Sequence, residues 1–236
     1  MLLIIQNDPE VPPGNFGDMI DMLQIPCSIV HPYAGEALPP IAETAAAIVL
    51  GGAMGVQDMA THPFLTEVKA FIRDCVQTET PFLGICLGGQ LLADILGGRV
   101  TAGSRCGEKG TLPVFLTDAG VKDPLFSGIP GEFISFQWHN DSFDVPAGGT
   151  LLASSAICPG QAFRFGPCAW GTQFHPEVTR SIVDCWARWT EETAGRAEEF
   201  LEAFLAAQEN YLAISRRLLG NFLRLAGLIF DGQPLR

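Results

Sequence analysis

The sequence predicts an α/β protein: a mostly parallel sheet with helices on both faces, an antiparallel strand extension and a C-terminal helical extension. Three observations predict it. Short apolar runs at 2–6, 27–31, 46–50 and 82–85 alternate with helical patterns at 17–24, 63–77 and 88–96, the rhythm of a parallel sheet covered on both faces. Beyond Gly98 the signal turns strand-rich, at 112–117, 133–138, 150–154, 161–165 and 168–174, as antiparallel additions would read. From Thr179 onward the pattern is helical.

Taken in order, "MLLIIQND" reads as a first strand, because it has no basic flank and meets Asp8 too early for a signal peptide. In "PFLGICLGGQLLADILGG" (81–98) residues 81–85 read as a buried strand, and Leu91, Leu92, Ile95 and Leu96 recur on one helix face. Cys86 falls at the turn between them. The longest uncharged run, 145–163, is broken by Pro146, Gly148, Gly149, Pro159 and Gly160, so no membrane span is expected. In the C-terminal part, Phe200, Leu201, Phe204 and Leu205 form one apolar stripe and Leu218, Leu219, Phe222 and Leu223 another. Glu191, Glu192, Glu198 and Glu199 come early and Arg216, Arg217 and Arg224 late, an order that suits helix dipoles, while Gly195 and Gly220 argue against one unbroken helix. The expected organisation is a main domain over 1–190 and a helical extension over 191–236 that packs on it or forms an interface, with a homo-oligomer as one outcome.

A chain of 236 residues suffices for one well-buried core. With a net charge of -12 and only 14 Lys and Arg, it lacks the basic stripe that nucleic acid demands. Seven cysteines, an odd number with no Cys-x-x-Cys pair, favour a reducing, cytoplasmic setting. His31 and His62 each precede a proline, and no Cys, His or carboxylate cluster has metal-ligand spacing. Neither a metal nor a cofactor is expected.

The chemistry concentrates in two segments. Gly84-Ile85-Cys86-Leu87-Gly88 has the Gly-x-nucleophile-x-Gly form of an elbow, whose glycines permit a sharp strained turn. There the Leu87 amide points toward the same space as the sulfur, and the following helix N-terminus favours a thiolate and a developing oxyanion. The second segment, "WGTQFHPEV" (170–178), supplies a base and its orienter: 170–174 reads as a strand ending at His175, and residues two apart on extended chain share a side, so Glu177 reaches back to His175. His139 reads more readily as a loop-fixing residue than as a second base.

"GICLGGQ", "FHPE" and the upstream "VLGGAMGVQD" together resemble the class I, triad-type glutamine amidotransferases over about residues 1–185, and are most similar to free-standing members related to the amidotransferase domain of GMP synthase. The resemblance implies a flavodoxin-like fold. It implies that Cys86 attacks the glutamine side-chain amide to form a γ-glutamyl thioester, that His175 gives a proton to departing ammonia, and that Glu177 orients His175. Backbone amides of Leu87 and Gly52 would hold the oxyanion. Gln90 matches a position that fixes the bound glutamine, and "QWHND" matches a substrate-contacting segment, which adds Trp138, Asn140 and Asp141. Ala53 and Gly89 depart from residues common at these places. No Gly-x-x-x-x-Gly-Lys loop is present, so an ammonia acceptor is expected on a separate synthetase subunit. Two alternatives stand beside a glutaminase: a γ-glutamyl peptide hydrolase using the same thioester, and a non-enzymatic binding or regulatory protein, against which an intact Cys86, His175 and Glu177 argue.

Overall fold

The structure, a computed structural model, describes residues 1–230. Four parallel strands lead the chain: β1 (Leu2–Ile5), β2 (Cys27–Val30), β3 (Ala46–Val49) and β4 (Phe82–Ile85). Among them lie α1 (Gly14–Met22) and α2 (Leu65–Gln77), and α3 (Leu87–Ile95) follows β4. The later strands are β5 (Val100–Thr101), β6 (Glu108–Leu116), β7 (Glu132–His139), β8 (Ser142–Phe143), β9 (Thr150–Ser154), β10 (Ala162–Phe165) and β11 (Ala169–Thr172). Nine strands form one sheet in the order β2-β1-β3-β4-β11-β10-β9-β6-β7, and β5 pairs with β8 in a separate ribbon. The run from β2 to β11 is parallel, and β10, β9, β6 and β7 extend it antiparallel.

The central strands LLII, AAIV and FLGI are buried at every position, because a sheet covered on both faces needs continuous apolar runs. Alternate residues feed two cores. Leu2, Ile4, Ile48, Leu83 and Ile85 face one layer, and Leu3, Ile5, Ala47, Val49 and Phe82 face α2 and α3 on the other.

The remaining helices are α4 (Asp118–Lys122), α5 (Arg180–Ala187), α6 (Glu191–Ala194) and α7 (Ala197–Leu225). The expected break at Gly220 does not occur: α7 runs 29 residues through it, while Gly195 separates α6 from α7. A helical glycine costs about 1 kcal/mol, and Leu218, Leu219, Phe222 and Leu223, all buried around it, outweigh that. The helix packs on α5, α1, β6 and β7. Part of the expected extension, residues 231–236, lies outside the described residues. The strand expected over 168–174 ends at Thr172, because Phe174 turns into the core and His175 makes an isolated antiparallel bridge to Phe136.

Phe222 is fully buried and packs edge-on against Trp170 at 6.4 Å. Phe222→Ala is expected to lower unfolding stability by about 3–5 kcal/mol, read as a lower urea midpoint at unchanged slope.

Candidate active site

Cys86 follows β4 directly and starts α3, with φ 50° and ψ -106°, a region that costs a non-glycine residue about 1–3 kcal/mol. The strain is held by close packing. A Cβ on Gly88 would lie 2.1 Å from the Val49 carbonyl oxygen, so only glycine lets α3 sit this close to β3. The Cys86 amide donates to the Thr172 carbonyl at 2.8 Å, fixing the elbow to β11.

His175 lies beyond the end of β11. Its Nδ1 meets Glu177 Oε1 at 2.7 Å, with both side chains buried. A carboxylate accepts, so Nδ1 carries the hydrogen and Nε2 is left for Cys86, whose sulfur is in hydrogen-bond contact with the imidazole. Burial works against an imidazolium here, but the Glu177 carboxylate and the Cys86 sulfur outweigh it and lift His175 to about 10. Burial pushes the thiols of Cys27, Cys75 and Cys158 up to about 11, 12 and 12, which keeps them protonated and inert at neutral pH.

The segment carrying the pair is fixed from three sides. His175 N–H donates to the Phe136 carbonyl on β7 at 2.8 Å, and Asn15 N–H of α1 donates to the Glu177 carbonyl at 2.8 Å. From α7, the Tyr211 hydroxyl donates to the His175 carbonyl at 2.9 Å and accepts from Val178 N–H at 2.9 Å. Trp186 of α5 packs edge-on against the imidazole, 4.8 Å between centroids.

Cys86 and His175 open into a cavity of about 420 Å³, to which Gly52, Gln90, Trp138, Asn140 and Asp141 also contribute. Leu87 is the first residue of α3, and a Cβ on Gly52 would lie 3.0 Å from its Cδ2, so the two residues expected at the oxyanion hole are neighbours. The glycine loop passes close to the pair: a Cβ on Gly51 would come within 3.1 Å of the imidazole Cε1. Asp8 anchors this loop by accepting from Ala53 N–H at 3.1 Å. Gln90 donates to the Asp141 carbonyl at 3.4 Å and to Gln173 Oε1 at 3.2 Å, and an Asp141 carboxylate oxygen accepts from Gly103 N–H at 2.9 Å. The departure at Gly89 has a local cause, since a Cβ there would lie 2.6 Å from the Thr172 carbonyl oxygen.

Sequence reasoning missed Gln173, fully buried, whose amide donates to the Cys86 sulfur at 3.5 Å. The spacing argument that links Glu177 to His175 applies equally to Gln173 on the other side. It also missed Trp186, Trp189 and Thr190 in the cavity wall and Tyr211 behind it, which carry no local signal because long-range packing brings them there.

A family model described as glutamine amidotransferase class-I matches residues 21–184. The glutamine amidotransferase-like protein YfeJ of Salmonella typhimurium is 34% identical over 156 residues, 64% of this chain and 65% of that protein. The glutamine-hydrolysing GMP synthase of Bacillus velezensis is 34% identical over 160 residues, 61% of this chain and 29% of that one. The chain thus covers less than two thirds of the length of these relatives. A glutamine amidotransferase from Thermotoga maritima has the same fold at TM-score 0.85 and 28% identity, over 95% of this chain and 97% of its own. The match over 21–184 takes in the elbow, the glycine loop and the His-Pro-Glu segment, and the chain therefore belongs to the class-I glutamine amidotransferase family.

Proposed function

We propose that this chain is a cysteine hydrolase that releases ammonia from glutamine through a γ-glutamyl thioester on Cys86. The observation that carries this reading is the buried relay from Glu177 Oε1 to His175 at 2.7 Å and on to a sulfur held on a strained elbow. The Cys86 sulfur attacks the side-chain carbonyl carbon and its electron pair moves onto oxygen, toward amides of Leu87 and Gly52. His175 protonates the departing nitrogen, and ammonia leaves. Water, deprotonated by His175, then adds to the thioester and releases glutamate. Gln173, by donating to the sulfur, holds it in the attacking position. Gln90, Trp138, Asn140 and Asp141 bind the substrate.

The cavity favours a second reading at the same centre. Trp138, Trp186 and Trp189 form an apolar wall with room for a leaving group larger than ammonia, which suits a γ-glutamyl peptide. A release assay with glutamine beside several γ-glutamyl peptides separates the two: faster ammonia release from glutamine supports the first, faster peptide turnover the second. If ammonia is the product in use, a separate synthetase is the partner that consumes it. The family relationship to GMP synthases that hydrolyse glutamine supports that division of labour.

Cys86→Ala is expected to abolish hydrolysis with little change in thermal midpoint; retained turnover would overturn the thioester route. Glu177→Gln is expected to slow hydrolysis by up to about 10⁴-fold, the scale of losing an orienting carboxylate in other triads.

The raised His175 value predicts a pH profile. The imidazolium is stabilised in the fold, so its contribution to stability is complete below its ordinary value of 6.5 and is lost as pH climbs through about 10. The proton donated to the leaving group disappears over the same range, giving kcat/KM an alkaline limb near there. Glu177→Gln removes an upward influence and is expected to move that limb to lower pH. An unmoved limb would show that another group sets it.

Tyr211→Phe strips the Val178 amide of its acceptor and the His175 carbonyl of a donor, both buried. A loss of about 1–3 kcal/mol in stability is expected from urea unfolding, with kcat lowered while cysteine labelling at Cys86 persists.

A further inference from the structure

Beside the cavity, three donor groups from distant parts of the chain converge. Glu108 opens β6, His139 closes β7, and Cys158 lies in the turn between β9 and β10. All three are buried, with ligand atoms within 4.8 Å of one another. Glu108 and His139 are cross-strand partners, and His139 Nε2 lies 3.7 Å from Glu108 Oε2.

The hydrogen bonding around the group shows what is missing. His139 Nδ1 lies 2.8 Å from the Asp141 carbonyl; a carbonyl only accepts, so Nδ1 carries the hydrogen. Nε2 of a neutral ring then presents a lone pair, and among the described residues it has no hydrogen-bond partner although the side chain is only 1% exposed. That lone pair faces a carboxylate oxygen, which is repulsive unless positive charge lies between them. The carboxylate is itself held in place: Gln161 Nε2 donates to Oε2 at 2.6 Å, and the Ser155 hydroxyl is 2.8 Å from both oxygens.

We propose that Glu108, His139 and Cys158 form a structural binding site for one thiophilic divalent cation of the zinc class. A thiolate, an imidazole and a carboxylate form a donor set that suits zinc over the hard cations. The surroundings match those of metal-binding histidines, whose second ring nitrogen donates to a backbone carbonyl and whose neighbouring carboxylate is hydrogen-bonded in turn. Charges close without remainder: a dication with one thiolate and one carboxylate is neutral, which lowers the cost of burial. Cys158 enters as a protonated thiol, so binding forms the sulfur–metal bond and releases one proton to solvent. Bonds of about 2.0–2.3 Å require the donors to draw in by roughly 1 Å, which side-chain torsions supply. Spacing along the chain predicts no metal site because the three residues meet only through β6–β7 pairing and the folding of the 155–160 turn. The cation would tie that turn to the two strands directly behind Trp138, Asn140 and Asp141 in the cavity wall.

The test uses full-length protein carrying Cys86→Ala, so that the Cys86–His175 pair cannot take the metal. The chelator-stripped protein is titrated with Zn²⁺ against a chromophoric chelator, and with Co²⁺ by absorption spectroscopy. One zinc per chain and a thiolate-to-cobalt charge-transfer band are expected. Adding Cys158→Ser is expected to remove the band and weaken zinc binding by at least about tenfold, with an unchanged circular dichroism spectrum. If that variant fails to fold, Glu108→Gln, which keeps shape and hydrogen bonding, is expected to weaken binding by at least about tenfold as well. Failure of the stripped parent to take up zinc would overturn the proposal. So would uptake that these substitutions leave unchanged.

Discussion

Two backbone hydrogen bonds on either side of Phe174 organise the molecule: Cys86 N–H to the Thr172 carbonyl and His175 N–H to the Phe136 carbonyl, each 2.8 Å. The first joins the nucleophile's turn to the last parallel strand. The second takes the next residues out of the sheet and hands them to the antiparallel part. Between these bonds the chain changes direction, and that change carries the imidazole to the sulfur. The placement of α1, α5 and α7 serves the same few residues, with Asn15, Trp186 and Tyr211 each touching the stretch from His175 to Val178.

The polar interior follows from this arrangement. Burying a carboxylate and an imidazole together is expensive unless each finds partners. Glu177 Oε1 meets His175, while Oε2 has no hydrogen-bond partner among the described residues. That unbalanced carboxylate raises the imidazole's affinity for its proton. Asn15 spreads the cost further: its amide donates to the Pro176 and Val178 carbonyls, and its oxygen accepts from the Ser215 hydroxyl at 2.6 Å. Support for the chemistry thus reaches α7, more than a hundred residues along the chain from Cys86.

What could be read in the sequence was written in local patterns. The central strands are legible because burial on both faces demands uninterrupted apolar residues, as in LLII and AAIV. The elbow is legible because Gly84 and Gly88 are where α3 touches β4 and β3. Glu177 follows from two-residue spacing, and Gln173 would have followed from the same rule. Other features have no local signature. Gly220 weakens a helix in isolation, and only the buried residues around it show why α7 continues. Tyr211 and Trp189 reach the site through packing between distant elements. Glu108, His139 and Cys158 look unrelated until β6 and β7 are paired.

The strand order also has a consequence for synthesis. β11 lies between β4 and β10, so the edge of β4 that it covers stays open until nearly three quarters of the chain has been made. At a synthesis rate of about 5–20 residues per second, the interval is on the order of ten seconds. Throughout it, β4 presents unpaired amides and carbonyls beside Phe82 and Ile85, the kind of apolar edge on which strands of other chains can add. The nucleophile is therefore made early and left without its base, and the growing polypeptide depends on shielding of that edge until the second half of the sheet arrives.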